Sequence, residues 1–118
     1  NKFAKASATA ELTAWPENSL PALLELALLD DTAFRTRFSG SPIKRIGRER
    51  FVRNVCIAIG NSGLVKAVPT LLQLLDDAAP LVRGAAIWAL RQLDPKLHAK
   101  LSARVQNECD QAVALEWR

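Results

Sequence analysis

Two ten-residue stretches thirty positions apart say the same thing twice: "FVRNVCIAIG" at 51–60 and "LVRGAAIWAL" at 81–90. Val52 aligns with Val82, Arg53 with Arg83 and Ile57 with Ile87. Each stretch carries its apolar residues at helical spacing, and no segment of the chain alternates with the period of two that a half-buried strand needs. An echoed amphipathic helix cannot bury its apolar face alone. It must stack on its neighbour, which is the logic of a solenoid.

The remaining helices follow from the same spacing. Leu20, Leu23, Leu24 and Leu28 recur at helical intervals, with Pro21 in a first turn where its missing N–H is harmless. "DDTAFRTRF" predicts a short helix with an acidic start, and "SGSPIKRIG" predicts a loop. At 100° per residue from Arg50, the residues Phe51, Val52, Val55, Cys56, Ala58 and Ile59 share one side. Arg50, Arg53, Asn54, Gly60 and Asn61 share the other, where Ile57 is an apolar intruder. "GNSG" ends that helix, because Gly and Asn accept the left-handed cap. Val68, Leu71, Leu72 and Leu75 predict the face of the next helix, "DDAAP" a turn, 81–93 a helix rich in small residues, and 97–116 a final helix after Pro95. The expected core is Leu23, Leu24, Phe51, Val55, Ile59, Leu71, Leu72, Leu75, Ala86, Leu90 and Leu93. The class is all-α, a single short helical-repeat domain over 1–118 with an irregular entry segment over about 1–18. The pattern "P-LLQLLDD—P-VR-AA-WAL" resembles a HEAT repeat, in which an Arg at the position of Arg53 or Arg83 often pairs with an acid or carbonyl of the adjacent turn.

Charge is the second feature. The net value is +4, but residues 34–53 hold seven basic side chains (Arg35, Arg37, Lys44, Arg45, Arg48, Arg50, Arg53) against the single acid Glu49. The rest of the chain has nine basic and eleven acidic residues, so the whole positive excess lies in one segment. That segment fits either a solvated surface loop or a surface for an anionic partner. Gly40, Ser41 and Pro42 allow close backbone approach, and Lys44, Arg45 and Arg48 supply charge for phosphate. Arg50, Arg53, Asn54 and Asn61 continue the polar surface along the helix. Phe51 is expected in the core, which leaves little for base stacking.

Other chemistry is scarce. Cys56 and Cys109 stand 53 positions apart, which matches no local metal motif, and two reduced cytosolic thiols are the expectation. His98 is alone and is expected to be a partly exposed side chain. No cluster of Asp, His, Ser or Cys supports an independent hydrolase. No apolar run approaches the roughly 18 residues that cross a bilayer. The start, "NKFAKASATAEL", has neither an apolar signal region nor Met, so an interior piece of a longer chain is expected.

The residues "RFSGSPIKRIGRERFVRNVCIAIGNSG" followed by "LLQLLDDAAPLVRGAAIWALRQL" resemble the C-terminal domain of epoxyqueuosine reductases, as do the opening "NKFA" and the tail "ECDQAVALEW". The resemblance implies a parent enzyme that binds two [4Fe–4S] clusters and cobalamin and reduces an epoxide at the wobble base of transfer RNA. Neither Cys56 nor Cys109 matches a cluster ligand of that family, so this chain is expected to hold no cofactor, no metal and no catalytic residue. Its expected partners are the anticodon arm of transfer RNA, met by Arg35, Arg37, Ser41, Lys44, Arg45, Arg48, Arg50, Arg53, Asn54 and Asn61, and an upstream catalytic domain. The setting is a cytoplasmic monomer away from membranes. The alternative is a helical-repeat interaction module that docks an acidic protein.

Overall fold

The computed structural model describes residues 19–118, and the expected entry segment over 1–18 lies outside them. Among the described residues seven α-helices follow one another: α1 Ser19–Ala27, α2 Asp31–Arg37, α3 Arg48–Ser62, α4 Val68–Leu74, α5 Pro80–Leu93, α6 Pro95–Leu101 and α7 Gln111–Glu116. Three short 3₁₀ turns are interleaved, at Pro42–Ile46, Val65–Ala67 and Ser102–Asn107. The echoed helices α3 and α5 make the most extensive contact in the fold. Helices α1 and α2 cover α3, while α4, α6 and α7 cover α5. The all-α helical-repeat expectation therefore holds.

Local chemistry sets most boundaries. The Asp30 carboxylate accepts a hydrogen bond from the Ala33 N–H at 2.7 Å and caps α2. Asp94 does the same for Leu97 at the start of α6, and Asp110 for Val113 at the start of α7. Pro80 and Pro95 occupy first helical positions. Gly63, at φ 72°, ends α3 in the left-handed conformation that the sequence suggested. The expected loop after α2 is more ordered than a loop: Pro42–Ile46 winds as a 3₁₀ turn, started by the Ser41 hydroxyl accepting from the Ile43 N–H.

Four expectations need correction. The inward positions of α4 are Ala67, Thr70, Leu71, Leu74 and Leu75, so its face is rotated and Leu72 and Val68 are only half-buried. Leu24 is half-buried as well, beside the buried Leu23, Leu26 and Ala27. The expected final helix over 97–116 is three pieces, because the Ser102 hydroxyl donates back to the Ala99 carbonyl and Asp110 caps a new start. His98 is 5% exposed and buried, with Nε2 2.8 Å from the Glu116 carbonyl and its ring 5.2 Å from that of Trp117.

Helix α3 is buried on more sides than its periodicity suggests. Ile57 and Gly60, both on the side assigned to solvent, are buried. The reason is α5: a Cβ on Gly60 would lie 2.7 Å from Cζ3 of Trp88 and 3.0 Å from Cα of Ala89. Glycine lets the two helices approach there. At its other end α3 is held by an aromatic trio, with Phe34, Phe38 and Phe51 ring centroids 4.9–5.3 Å apart.

Candidate nucleic-acid interface

Of the ten basic and polar residues expected to meet an anion, half-buried Ser41 starts the 3₁₀ turn and the other nine sort into three groups. Lys44 and Arg45 are exposed on the 3₁₀ turn, and Arg50 is exposed in the first turn of α3. Among the described residues these three form no ion pair. A shallow hollow lined by Gly40, Ser41, Pro42, Lys44 and Arg45 opens beside them. Gly40 (φ 77°) and Gly47 (φ 86°) take the left-handed backbone at either end of this turn and so give it its shape.

The second group is exposed but occupied. Arg35 bonds Asp31 at 3.1 Å across one helical turn, and Arg37 bonds Glu25 at 2.7 Å. Such solvent-exposed pairs are weak and can be exchanged for another anion. Asn61 is also exposed but sits at the far end of α3. Eleven residues from Arg50, at 1.5 Å per residue, it is about 16 Å away along the axis.

The third group is committed to the fold. Arg48 donates from Nε to the Leu29 carbonyl at 2.9 Å. It also donates from Nη1 and Nη2 to the two carboxylate oxygens of Asp77, at 2.9 and 2.7 Å. These side chains are only 15% and 13% exposed. The bond to Asp77 raises the Arg48 pKa, and the bond from Arg48 holds the Asp77 carboxyl below its ordinary value. Expected as a phosphate ligand, Arg48 is a clamp between α1, α3 and the α4–α5 turn. Arg53 is half-buried and donates from Nε and Nη2 to Oδ1 of Asn54, both at 3.2 Å. Burial first, then the nearby Arg50, lowers its pKa. The polar stripe along α3 is thus broken in the middle, where α5 covers it.

Arg83 takes the structural role expected of it. Its Nε and Nη2 each donate to a Glu108 oxygen at 2.9 Å, and its Nη1 donates to the Asp77 and Ala78 carbonyls. The partner that sequence reasoning missed is Asp77. The available signal was its spacing: Arg48 and Asp77 are 29 residues apart, Arg83 and Glu108 are 25 apart, and both separations are close to one repeat.

The helix starts beside this region share an edge. Gly47, Arg48, Glu49 and Arg50 at the start of α3 line one groove together with Ala78, Ala79 and Pro80 at the start of α5. Neither helix has a side-chain N-cap bond. Of the three cations only Arg50 lines this groove, together with the acids Asp31 and Glu49, and the positive end of the α3 dipole adds to its charge. Elsewhere the chemistry is quiet. Among the described residues no group of three His, Cys, Asp or Glu side chains could hold a metal. The Cys56 thiol is buried and pushed up to about 12 by desolvation, whereas Cys109 is exposed. No described helix is long and apolar enough to cross a membrane.

Comparison with known proteins agrees with this architecture. The family model described as HEAT repeats matches residues 48–116. An epoxyqueuosine reductase from Alicycliphilus denitrificans is 34% identical over 102 residues, covering 78% of this chain and 28% of that protein. One from Xanthomonas campestris is 34% identical over 93 residues, covering 78% and 26%. The crystal structure of selenomethionine-labelled epoxyqueuosine reductase superposes with a TM-score of 0.74 and 27% identity, over 80% of this chain and 26% of that one. The chain spans roughly a quarter of the length of these relatives. Two stacked, Arg-clamped helix pairs, the matched repeat model and these relatives lead to one statement: the chain belongs to the HEAT-repeat family and is related to a portion of the epoxyqueuosine reductases.

Proposed function

We propose that this chain is the transfer-RNA-binding part of an epoxyqueuosine reductase and meets the anticodon arm through phosphates. The observation that carries the reading is the contrast in arginine partners. Arg48 and Arg83 are consumed by half-buried acids, whereas Lys44 and Arg45 on the 3₁₀ turn and Arg50 in the first turn of α3 present their charge to solvent. Arg35 and Arg37 lie within the same basic segment and can exchange their exposed carboxylates for phosphate. Phe38 and Phe51 are packed on Phe34, so no aromatic of this trio offers a stacking platform. Recognition is therefore by shape and backbone charge, as folded RNA allows. The parent enzyme reduces the epoxide of the modified wobble base, in the cytoplasm and as a monomer.

Two [4Fe–4S] clusters and cobalamin would belong to the remainder of that enzyme. The described residues do not fit a cluster, which takes four thiolates; Cys56 is sealed in the core and Cys109 has no second thiol beside it.

A salt titration with an anticodon stem-loop tests the reading. Three phosphate contacts give a slope of log affinity against log salt of about −2, using the single-strand coefficient. The pair K44A/R45A should flatten it to about −0.7. Equal slopes for the two proteins would mean that the basic turn faces an acidic protein surface instead.

A further inference from the structure

We propose that Arg48 is a positioning residue: clamped by Asp77, it holds the start of α3 and the basic turn before it in the arrangement that binds RNA, and it touches no phosphate itself. The proposal rests on the RNA-binding reading above. Three of the five guanidinium N–H groups are used, two on Asp77 and one on the Leu29 carbonyl. Asp77 is engaged at both oxygens in turn, since its Oδ2 also accepts from the Ala79 N–H at 3.0 Å. One side chain thus ties the end of α1, the start of α3 and the turn that leads into α5.

The cations sit on either side of that tie. Arg50 is two residues after it. Lys44 and Arg45 precede it, and their turn closes through the Gly47 N–H donating to the Lys44 carbonyl at 3.3 Å. Gly47 at φ 86° has nothing within 4 Å of where its Cβ would be, so no packing at Gly47 itself fixes the joint. Ile43 seats the turn on the core, and Arg48, the next residue, fixes the start of α3 relative to it. The Arg83 clamp is built alike, but the residues before it are Asp76, Asp77, Ala78, Ala79 and Pro80, with no cation to orient.

The substitution D77N separates the alternatives, because it leaves every cation in place and removes a negative charge. Electrostatics alone would then tighten RNA binding. Loss of positioning would weaken it by about tenfold with the salt slope unchanged. R48K should weaken it similarly, because lysine cannot form the planar fork. Hydrogen exchange across residues 42–50, measured without RNA, should quicken in both variants. E108Q loosens the other clamp and should lower thermal stability while leaving affinity for the stem-loop unchanged. The proposal is overturned if D77N binds as tightly as wild type with unchanged exchange. It is also overturned if R48A flattens the salt slope by about 0.7 while D77N does not, which is the signature of a direct phosphate contact. Absence of salt-dependent binding by the wild type would instead overturn the RNA reading. In that case quickened exchange in D77N still supports the positioning role, and unchanged exchange refutes it.

Discussion

Helices α3 and α5 begin alike and end up in different service. Both follow a turn, both lack a side-chain cap, both carry Val-Arg at matching positions, and both pack their small residues on each other at Gly60 and Ala89. Around α5 two arginines have found acids, Arg83 holding Glu108 and Arg104 holding Asp76, while Arg91 donates to the Arg118 carbonyl. Around α3 one arginine, Arg48, is matched in the same way, and further cations remain at the surface beside it. Where a repeat has an acid one unit further on, its arginine is structural. A basic residue becomes available to a ligand when no such acid faces it.

Packing should not distinguish the two helices. Ile59 in α3 and Leu90 in α5 are both fully buried. I59A and L90A should each cost about 2–5 kcal/mol in chemical denaturation, despite their different distances from the basic surface. A much smaller cost for I59A would mean that α3 is the looser partner.

The clamps come next. R83A leaves Glu108 without its partner at the edge of an open hollow and should cost about 1–3 kcal/mol. The pH dependence has a definite sign. Asp77 and Glu108 titrate below their ordinary values of 3.8 and 4.5, each chiefly because of the bond from its arginine. Their stabilisation is present above those unfolded values and is lost as pH falls through the lower, folded ones. Glu116 acts oppositely. Burial raises its pKa, so its contribution is complete below 4.5 and is lost as pH rises through the folded value. Thermal melts between pH 5 and pH 2 should therefore show a steep decline, shallower in D77N and E108Q. A flat profile would contradict the clamp assignment.

The smallest effect belongs to the exposed pairs. R35A and R37A should change stability by less than about 1 kcal/mol, because Asp31 and Glu25 remain solvated. A larger loss would place these arginines with Arg83 rather than with Lys44.

Much of the fold was legible because helical periodicity and capping residues are local. The echo at 51–60 and 81–90, Gly63 as a terminator and Pro80 as an initiator are read from a few neighbouring residues. Leu72 and Leu74 were interchanged for a different reason. With four leucines in "LLQLL", several faces satisfy the period, and the preceding 3₁₀ turn selects one by rotating the helix. The break in 97–116 depended on Ser102 and Asp110 bonding to backbone, a competition that apolar spacing does not register. The basic segment was visible as charge, but its division was not. Arg48 and Arg50 are two residues apart, and only the position of Asp77, brought close by the stacking of the repeats, separates a clamp from a surface cation.

Cys56 lies at 0% exposure in the middle of α3, between the helices that the whole stack shares, while Cys109 is open to solvent. The protein therefore carries an internal clock. An alkylating reagent will consume the exposed Cys109 first. It reaches Cys56 only when the core around α3 opens, so the delay between the two modifications times that opening event in the unaltered chain. Added RNA that grips the start of α3 should lengthen the second interval and leave the first untouched.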